Sequence, residues 1–435
     1  MLHITLDALA LSRTQGTGLT TFSRNLAQAL AQLGHSVNGL AGAPANTGGA
    51  FPKDVALLDA NLPQAGLGPL GKLQDTLQLY RTRSRDLRQR PTATPIAFQT
   101  VDTRYYAHLS ETFAQVYHVS DLFQRAYYCF SKTGKLWEVQ LPSECHTFHA
   151  TYPLPFRIQN ARLVASIHDL IPLALPSTTL DNKGTHYRLL STLCQSADKI
   201  STLSQFVKDE LLRTFPVNPE KIVVTAMTTD IPAQVQALAE DDLREILQQN
   251  FGLNFRQYFV FLSALAPHKN LTRLLSAYLT LPASFPLVII GKDGWLVEEQ
   301  IALLKQIEAL PAGKKVIRLG YLPRELMLLL VRGARMLLSP SLYEGFGVPA
   351  LEAMTLGTPV LASNTTALPE VCGTAAEYVE PYSIESIRTG LLTAQNESRL
   401  AELRMAGIEQ AKVYSLERYT QRLQELYVNE CPFPS

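Results

Sequence analysis

The sequence predicts an α/β protein built from two doubly wound parallel sheets. Its 435 residues, at about 150 per domain, suggest two or three domains, and a single core seldom exceeds about 250 to 300 residues. Short apolar runs alternate with longer amphipathic stretches, as in parallel-sheet α/β proteins. The series restarts after a charged helical stretch near Asp241–Gln249. We therefore predict domains at 1–240 and 241–415, with a C-terminal helix in 416–435 that returns to the first domain.

The composition excludes several classes of protein. With 46% apolar and 18% charged residues, the chain is not broadly disordered. The 39 Lys and Arg balance 38 Asp and Glu, so no strong field favours nucleic acid. We find no apolar run of about 18 residues and expect no signal peptide, and the five scattered cysteines suit reduced thiols. We expect a cytoplasmic protein that at most contacts the inner face of the cell membrane.

The first series of elements opens with an apolar strand at Leu2–Leu6 and a glycine-containing turn at Gln15–Gly18. Leucines and Phe22 then recur at helical spacing up to Gly34, which predicts a helix. Ser36–Leu40 is predicted to be the next strand. Residues 100–160 are rich in aromatics and histidines, with little clean period, so they receive no assignment. Further strands are predicted at Ile96–Gln99, Leu163–Ile167, Lys199–Leu203 and Ile222–Thr225, and helices at Tyr187–Gln195 and Gln205–Phe215.

The second series repeats the alternation of strands and helices. Strands are predicted at Tyr258–Leu262, Leu287–Ile290, Val316–Leu319, Met336–Leu338, Pro359–Ala362 and Glu377–Val379, and helices at Leu271–Leu279, Glu298–Leu310, Leu326–Arg332, 397–412 and 416–428. Two doubly wound sheets that face each other form a central cleft. Because such sheets bind ligands at the carboxyl ends of their strands, we expect the functional site in that cleft.

The segment Ser339–Met354 carries the most informative motif, a strand followed by a loop and a helix. Its glycines allow a tight turn against a ligand, and Pro349 suits a first helical position. Glu344 would lie in the loop and Glu352 in the first turns of the helix. Ionised carboxylates accept hydrogen bonds from hydroxyls, whereas a helix N-terminus binds phosphate. The alternative is that Glu352 complements the helix dipole and Glu344 is solvated.

Tyr343–Gly347 followed by Pro349–Ala353 resembles the Glu-x7-Glu motif of the family-4 retaining glycosyltransferases, which have the GT-B fold of two Rossmann-like domains. Ser263–Leu271 resembles the basic phosphate-binding loop of that family. The similarity extends to Gly16–Leu19, Phe148–Ala150, Ser166–Pro172, Gly357–Ser363 and Leu368–Val371. The resemblance implies transfer of a sugar from a nucleotide-diphosphate donor with retention at the anomeric carbon.

The resemblance also implies roles for individual residues. Glu344 would bind hydroxyls of the donor sugar, Glu352 would bind the ribose, and Lys269 would neutralise the departing diphosphate. His168 would lie near the reaction centre; the alternative is that it caps the next helix. For Gly16–Gly18, the alternative to donor binding is a plain strand–helix turn. The other implied donor contacts are Gly16, Gly18, His268, Gly345, Phe346, Gly347 and Leu351, with Tyr321 and Leu322 near the base.

Two departures from the family pattern leave other functions open. Ala264 and His268 stand where the family carries an arginine, so Lys269 is the only permanent cation in the loop. Thr225–Asp230 replaces the usual Asn-Gly-x-Asp ending and retains only Asp230. The alternative is therefore a degenerate GT-B protein that acts as a non-catalytic binding or scaffolding partner. A nucleotide-sugar epimerase is a third hypothesis.

The chemistry is expected to proceed without metal. The sequence contains no Asp-x-Asp pair, which magnesium at a diphosphate would favour. We expect no cofactor beyond the nucleotide-sugar co-substrate. Glu344 and Glu352 are assigned to donor hydroxyls and no third carboxylate is clearly placed, so we favour front-side substitution over a covalent intermediate.

Two stretches bear on the acceptor. Gly71–Arg90 has six basic and two acidic residues on an amphipathic pattern, which suits either an anionic membrane surface or an ordinary solvated helix. The aromatics of Val101–His118 either stack on acceptor sugars or belong to the core. We expect GDP-mannose as the first donor to test, a glycan or lipid-linked acceptor, a role in cell-surface polysaccharide assembly, and no nucleic-acid partner.

Overall fold

The structure is a computed structural model that describes residues 1–11, 18–42, 87, 90–96, 107–282, 285–292, 294, 298–308 and 315–427. Its strands β1 to β16 are, in order, His3–Asp7, Ser36–Ala41, Thr94–Pro95, Gln115–His118, Trp137–Val139, Thr147–Ala150, Phe156–Ile158, Arg162–Ser166, Lys199–Thr202, Ile222–Val224, Phe259–Leu262, Leu287–Ile290, Val316–Leu319, Met336–Ser339, Val360–Ser363 and Ala376–Val379.

Its α-helices, α1 to α16, connect these strands and close the chain. They are, in order, Gly18–Gln32, Ala107–Thr112, Leu122–Thr133, Ile171–Ala174, Lys183–Ser196, Gln205–Thr214, Ala233–Ala237, Glu240–Phe251, Leu271–Leu279, Glu298–Glu308, Arg324–Arg332, Val348–Thr355, Leu368–Cys372, Ile384–Leu392, Glu397–Ala411 and Leu416–Tyr427. None of the helices in the described ranges has both the length and the apolar character that crossing a bilayer requires.

Two large sheets organise these elements. The first has the order β10-β9-β8-β6-β1-β2-β4-β3 and is parallel except for β3, which pairs antiparallel with β4. The second has the order β13-β12-β11-β14-β15-β16 and is parallel throughout. The predicted pair of doubly wound sheets is confirmed. We call the elements of β1–β10 the N-terminal lobe and those of β11–β16 the C-terminal lobe.

Helix α1 illustrates why the predicted elements form. Phe22, Leu26 and Leu30 recur at four-residue spacing and are fully buried in the core. The helix ends two residues before Gly34, whose φ of +80° lies in the left-handed region that glycine adopts without strain. Helix α8 likewise has an apolar face and is capped at its C-terminus by a glycine, Gly252, with φ +62°.

The last helix, α16, crosses back to the N-terminal lobe. It packs against α1 and β10, and Arg422 donates to the carbonyl oxygen of Ala226 at 3.0 Å. The hydroxyl of Tyr427 lies 2.5 Å from Nδ1 of His149 on β6. The first lobe is thus completed by residues almost 200 positions beyond its last strand. The boundary predicted between residues 240 and 241 stays a prediction.

Residues 107–160 contain most of what the sequence missed. Helix α3 and strands β4 to β7 lie there, and β6 is a central strand between β1 and β8. Its residues Thr147–Ala150 are all buried although two are polar. The sequence pattern does not reveal this strand because polar residues interrupt its apolar run. His149 can be buried there because both of its ring nitrogens have hydrogen-bond partners.

Some predictions concern segments that the structure describes in part or not at all. The strand predicted at Ile96–Gln99 is wrong at Ile96, because the pairing residues are Thr94–Pro95; positions 97–99 lie outside the described residues. Gly71–Arg90 is also outside them, except Leu87 and Arg90. Of the aromatics in 101–118, Phe113 and Tyr117 are core residues, 3% and 6% exposed.

Candidate functional site

An ion pair between two loops of the C-terminal lobe forms the centre of the candidate site. Lys269 ends a short turn after β11, and its Nζ lies 2.7 and 2.8 Å from the two carboxylate oxygens of Glu344. Ser341 donates a further hydrogen bond to Glu344 Oε1 at 2.7 Å. Burial alone would raise the pKa of Glu344, but the Lys269 ammonium and Ser341 outweigh it, so the pKa is lowered. Glu344 is therefore a charged, fixed carboxylate.

A second ion pair holds the other motif carboxylate. Glu352 lies in the second turn of α12 with only 3% of its side chain exposed, and its Oε1 is 2.8 Å from Nη1 of Arg324. Burial raises the pKa of Glu352, and the guanidinium opposes that rise. Arg324 opens α11 and also donates from Nη2 to the carbonyl oxygen of Asp230 at 2.8 Å. Both carboxylates thus have a cationic partner.

The loop between the two carboxylates is shaped by its glycines. Gly347 has φ +111° and immediately precedes α12, so the backbone enters the helix through the left-handed region. A Cβ at Gly345 would lie 1.9 Å from the carbonyl oxygen of His168. The backbone at Gly345 therefore lies directly against the segment that follows β8. The structure thus brings together Glu344 and the His168 segment.

On the N-terminal side, His168 is held as a neutral imidazole. Its Nε2 is 2.6 Å from the carbonyl oxygen of Thr151, which can only accept, so Nε2 carries the proton. Phe22 packs edge-on against the ring at 4.6 Å. Burial lowers the pKa of His168 to about 4. Nδ1 is therefore an acceptor at neutral pH.

Asp7 fixes the residue that orients His168. It ends β1, is fully buried, and accepts from the backbone N and hydroxyl of Thr151 at 2.5 and 3.1 Å and from the backbone N of Leu9 at 3.3 Å. Burial raises the pKa of Asp7 to about 6 despite these bonds. Because three donors occupy this carboxylate, it is poorly placed to attack a substrate.

Further contacts join the two lobes around the site. The hydroxyl of Ser204 donates to the carbonyl oxygen of Gly345 at 2.8 Å. The carboxylate of Glu370 accepts from the backbone N of Gln205 and Phe206 at 2.8 and 3.1 Å, which caps α6 from the opposite lobe. In the described structure the lobes are in contact beside the glutamate loop.

The other predicted residues fall into distinct environments. His268 is 6% exposed, and burial with the adjacent Lys269 lowers its pKa to about 4, so it adds no cation at neutral pH. Phe346 and Leu351 are core side chains, 4% and 1% exposed, so only their backbone can face a ligand. Tyr321 is 44% exposed, and the Lys292 ammonium lies 5.2 Å from its ring centroid.

The remaining predicted positions add little. Leu322 packs partly buried against the core. Gly18 begins α1 with open space at its Cβ, whereas Gly16 lies outside the described residues. Asp169 accepts from the backbone N of Ile171 at 3.0 Å, as a turn cap does. Across the described ranges, no three His, Cys, Asp or Glu side chains cluster so as to hold a metal ion.

Sequence reasoning missed Arg324, Asp7 and Thr151. One signal for Arg324 was available, because a cation in the first turn of a helix opposes the helix dipole and needs an acidic partner. No local pattern marks Asp7 or Thr151. Their contact joins positions 144 residues apart and follows only from the neighbouring strands β1 and β6.

Comparisons with known proteins identify the family of the chain. The family model "Glycosyl transferases group 1" matches residues 244–413, and the model "Glycosyltransferase Family 4" matches residues 96–230. The first covers both carboxylates and Lys269, and the second covers His168.

Two relatives from Escherichia coli are mannosyltransferases. O-antigen chain mannosyltransferase B is 32% identical over 273 residues, which cover 61% of this chain and 70% of the relative. The serotype-specific mannosyltransferase WbdA is 26% identical over 279 residues, 62% of this chain and 34% of WbdA. The matched region thus spans about a third of the length of WbdA.

A solved structure supports the fold. Anabaena Alr3699/HepE, crystallised in complex with UDP and glucose, superposes with a TM-score of 0.66 at 13% identity. The match covers 99% of this chain and 100% of HepE. At this identity, the likeness shows a common fold.

Proposed function

We propose that this chain, which belongs to glycosyltransferase family 4 and has its GT-B fold, transfers a mannosyl residue from a nucleotide-diphosphate mannose to a glycan acceptor. GDP-mannose is the first donor to test. The chain is a glycosyltransferase, and the binding or scaffolding alternative is not favoured. Both E. coli relatives described above are mannosyltransferases, which supports the choice of sugar. The name of the first relative supports an O-antigen-type polysaccharide as the acceptor.

The observation that carries the proposal is the Lys269–Glu344 ion pair beside the N-terminus of α12. When a donor enters, the sugar hydroxyls donate to Glu344 and the diphosphate oxygens accept from Lys269, so each partner exchanges one contact for another. The diphosphate gains charge as the glycosidic bond breaks. A fixed ammonium and a helix N-terminus therefore stabilise the transition state more than the ground state.

We propose that the transfer retains the anomeric configuration by front-side substitution, without a metal ion. In this scheme the acceptor hydroxyl attacks on the face that the diphosphate leaves, and the departing phosphate oxygen takes the hydroxyl proton. The three hydrogen bonds to Asp7 support the scheme, because they occupy the carboxylate that binds Thr151, the residue whose carbonyl oxygen orients His168. Lys269 supplies the charge that a metal ion would otherwise supply.

We also propose that the acceptor is lipid-linked and that the protein works at the inner face of the cell membrane. The support is the basic stretch Gly71–Arg90, of which only Leu87 and Arg90 are described. Binding to anionic vesicles at low salt tests this part separately. If the protein stays in the supernatant after sedimentation with such vesicles, the membrane proposal is wrong.

The transfer itself is tested by incubating the protein with a panel of nucleotide sugars and measuring nucleoside diphosphate release. We expect GDP-mannose to be hydrolysed slowly alone and faster with a mannose-terminated oligosaccharide. The product should carry an α-linkage by NMR, and EDTA should leave the rate unchanged. A preference for another nucleotide sugar would overturn the donor assignment, and inhibition by EDTA with rescue by Mg²⁺ would overturn metal independence.

A further inference from the structure

Arg324 touches three separate parts of the chain. Its guanidinium pairs with Glu352 at 2.8 Å and donates to the carbonyl oxygen of Asp230 at 2.8 Å. Nη1 also lies 3.5 Å from the hydroxyl oxygen of Thr21, in the first turn of α1. One side chain of the C-terminal lobe thus contacts a motif carboxylate, the segment between the sheets and the N-terminal lobe.

The position of Arg324 is explained by these partners and not by its own helix. A cation in the first turn of a helix meets the positive end of the dipole, which disfavours it. Glu352 is buried, and a buried carboxylate without a cation is strongly destabilised. Arg324 therefore opposes the rise that burial causes in the pKa of Glu352, and its contact with Oε1 at 2.8 Å restricts the orientation of that carboxylate.

The pair leaves Glu352 able to serve a ligand. A carboxylate accepts through two oxygens, so it can bind Arg324 and a ribose hydroxyl together. The contact with Thr21 belongs to the other lobe. If the lobes separate, Arg324 loses Thr21 but keeps Glu352, because Arg324 and Glu352 belong to the same lobe.

We infer that Arg324 is a positioning residue for the nucleotide, which aims Glu352 at the ribose and couples that contact to the approach of the two lobes. This inference rests on the proposed function, since it takes a nucleotide-diphosphate sugar as the donor. The inference distinguishes an effect on nucleotide binding from an effect on the chemical step. Arg324 acts on nucleotide affinity, whereas Lys269 acts on the step in which the diphosphate leaves.

The test measures binding of GDP and UDP, and of their 2′,3′-dideoxy forms, by calorimetry. The variants are Arg324→Met and Arg324→Lys. Arg332→Met is the matched control, because Arg332 ends the same helix and donates to the carbonyl oxygen of Val235 at 2.8 Å. It offers the same kind of contact to the segment between the sheets, and its described contacts do not include Glu352.

The parent protein should bind the better ribonucleotide at least about tenfold more tightly than its dideoxy form, the size of a hydrogen bond to a charged group. In Arg324→Met that ratio should fall below about twofold, and KM for the donor should rise about tenfold while kcat changes by less than about threefold. Arg324→Lys should be intermediate, and Arg332→Met should match the parent. If Arg324→Met does not fold, the ratio of ribose to dideoxy affinity is compared between the parent protein and Arg324→Lys.

The outcomes separate the inference from the proposed function. An unchanged ratio in both Arg324 variants would overturn the inference and leave the proposed donor in place. A loss of affinity that is equal for the ribose and dideoxy forms would also overturn it, because it would show a merely structural role. If the parent protein binds neither nucleotide, the nucleotide donor itself is wrong and the inference is wrong with it.

Discussion

The two lobes hold the polar groups of the candidate site in different ways. On the C-terminal side, Glu344 and Glu352 are each paired with a cation. On the N-terminal side, His168 is neutral and hydrogen-bonded to the backbone, and Asp7 has a pKa raised by burial to about 6. A fixed ammonium suits a donor whose diphosphate gains charge, whereas a neutral imidazole suits an uncharged sugar. The comparison suggests that the C-terminal side stabilises the leaving group and the N-terminal side orients the reacting carbon.

The largest effect is expected on the charged side. Lys269→Met should lower turnover at saturating donor about 10² to 10³-fold, because an electrostatic stabiliser of the leaving group is lost. Steady-state release of nucleoside diphosphate measures this. Lys412→Met is the control, since Lys412 forms an exposed pair with Glu409 at 2.6 Å and such pairs contribute little. Near-normal turnover of Lys269→Met would remove Lys269 from the chemical step.

A double variant separates charge chemistry from folding. Lys269→Met alone leaves Glu344 buried without its cation, which costs about 3 kcal/mol of folding free energy. Adding Glu344→Gln removes the stranded charge, so urea unfolding should recover while turnover does not. Recovery of turnover in the double variant would mean that Lys269 serves only to neutralise Glu344.

The next effect tests whether the two sides must meet. In Gly345→Ala the new methyl group would collide with the carbonyl oxygen of His168, so the loop and the β8 end must separate. We expect kcat/KM to fall about 10²-fold, the usual result of a misplacement near 1 Å. Gly184→Ala is the control, because its added Cβ meets nothing closer than 3.6 Å. Equal kinetics for both variants would contradict close contact of the two sides.

A smaller effect is expected on the neutral side. His168→Ala removes one neutral hydrogen-bonding group, so turnover should fall about tenfold. The pKa of His168 is about 4, so the ring is uncharged throughout the working range. The ratio of parent to variant kcat should therefore be constant from pH 6 to pH 8. A ratio that changes across this range would show that His168 ionises in the reaction.

The smallest effect concerns stability against pH. Burial lowers the pKa of His149 to about 3 and that of His168 to about 4, so only the unfolded chain gains these protons below pH 6.5 and stability falls with acid. The raised pKa of Asp7 acts in the opposite direction, because the folded protein binds that proton first. Asp7→Asn should therefore lose about 2 kcal/mol more than the parent protein between pH 6.5 and pH 4.5.

Urea unfolding followed by circular dichroism at the two pH values measures this difference. The stability at pH 6.5 serves as the internal reference, since Asn lacks one acceptor oxygen and lowers stability at every pH. If the two proteins lose equal stability on acidification, burial does not raise the pKa of Asp7 and this account of the N-terminal side is wrong.

The sequence was most informative where one physical signal dominates. Strands β11 to β16 are short, mostly apolar and separated by helices, so each of these six strands could be predicted, whereas the helices Leu368–Cys372 and Ile384–Leu392 were missed. The Glu344–Glu352 motif was found because glycine, proline and acidic residues at one strand–helix junction have a joint chemical meaning. Strand β6 was missed because its buried His149 and Thr147 break the apolar pattern.

The ion pairs could not be predicted from the motifs. Glu344 and Lys269 are 75 positions apart, and each was assigned to a ligand and not to the other. Arg324 lay in no motif, and its role depends on three segments that only the fold brings together. Spacing along the chain reveals which groups are available, whereas pairing requires the distances between strands.

The position of α16 has a consequence for biosynthesis. The ribosome makes β1 to β10 long before residues 416–427, yet Tyr427 supplies a hydrogen-bond partner of His149 and Arg422 closes onto Ala226. A nascent N-terminal lobe therefore exposes the faces of α1 and β10 that α16 later covers. Its folding can be completed only after nearly the whole chain has been synthesised, so these apolar faces stay uncovered through most of translation.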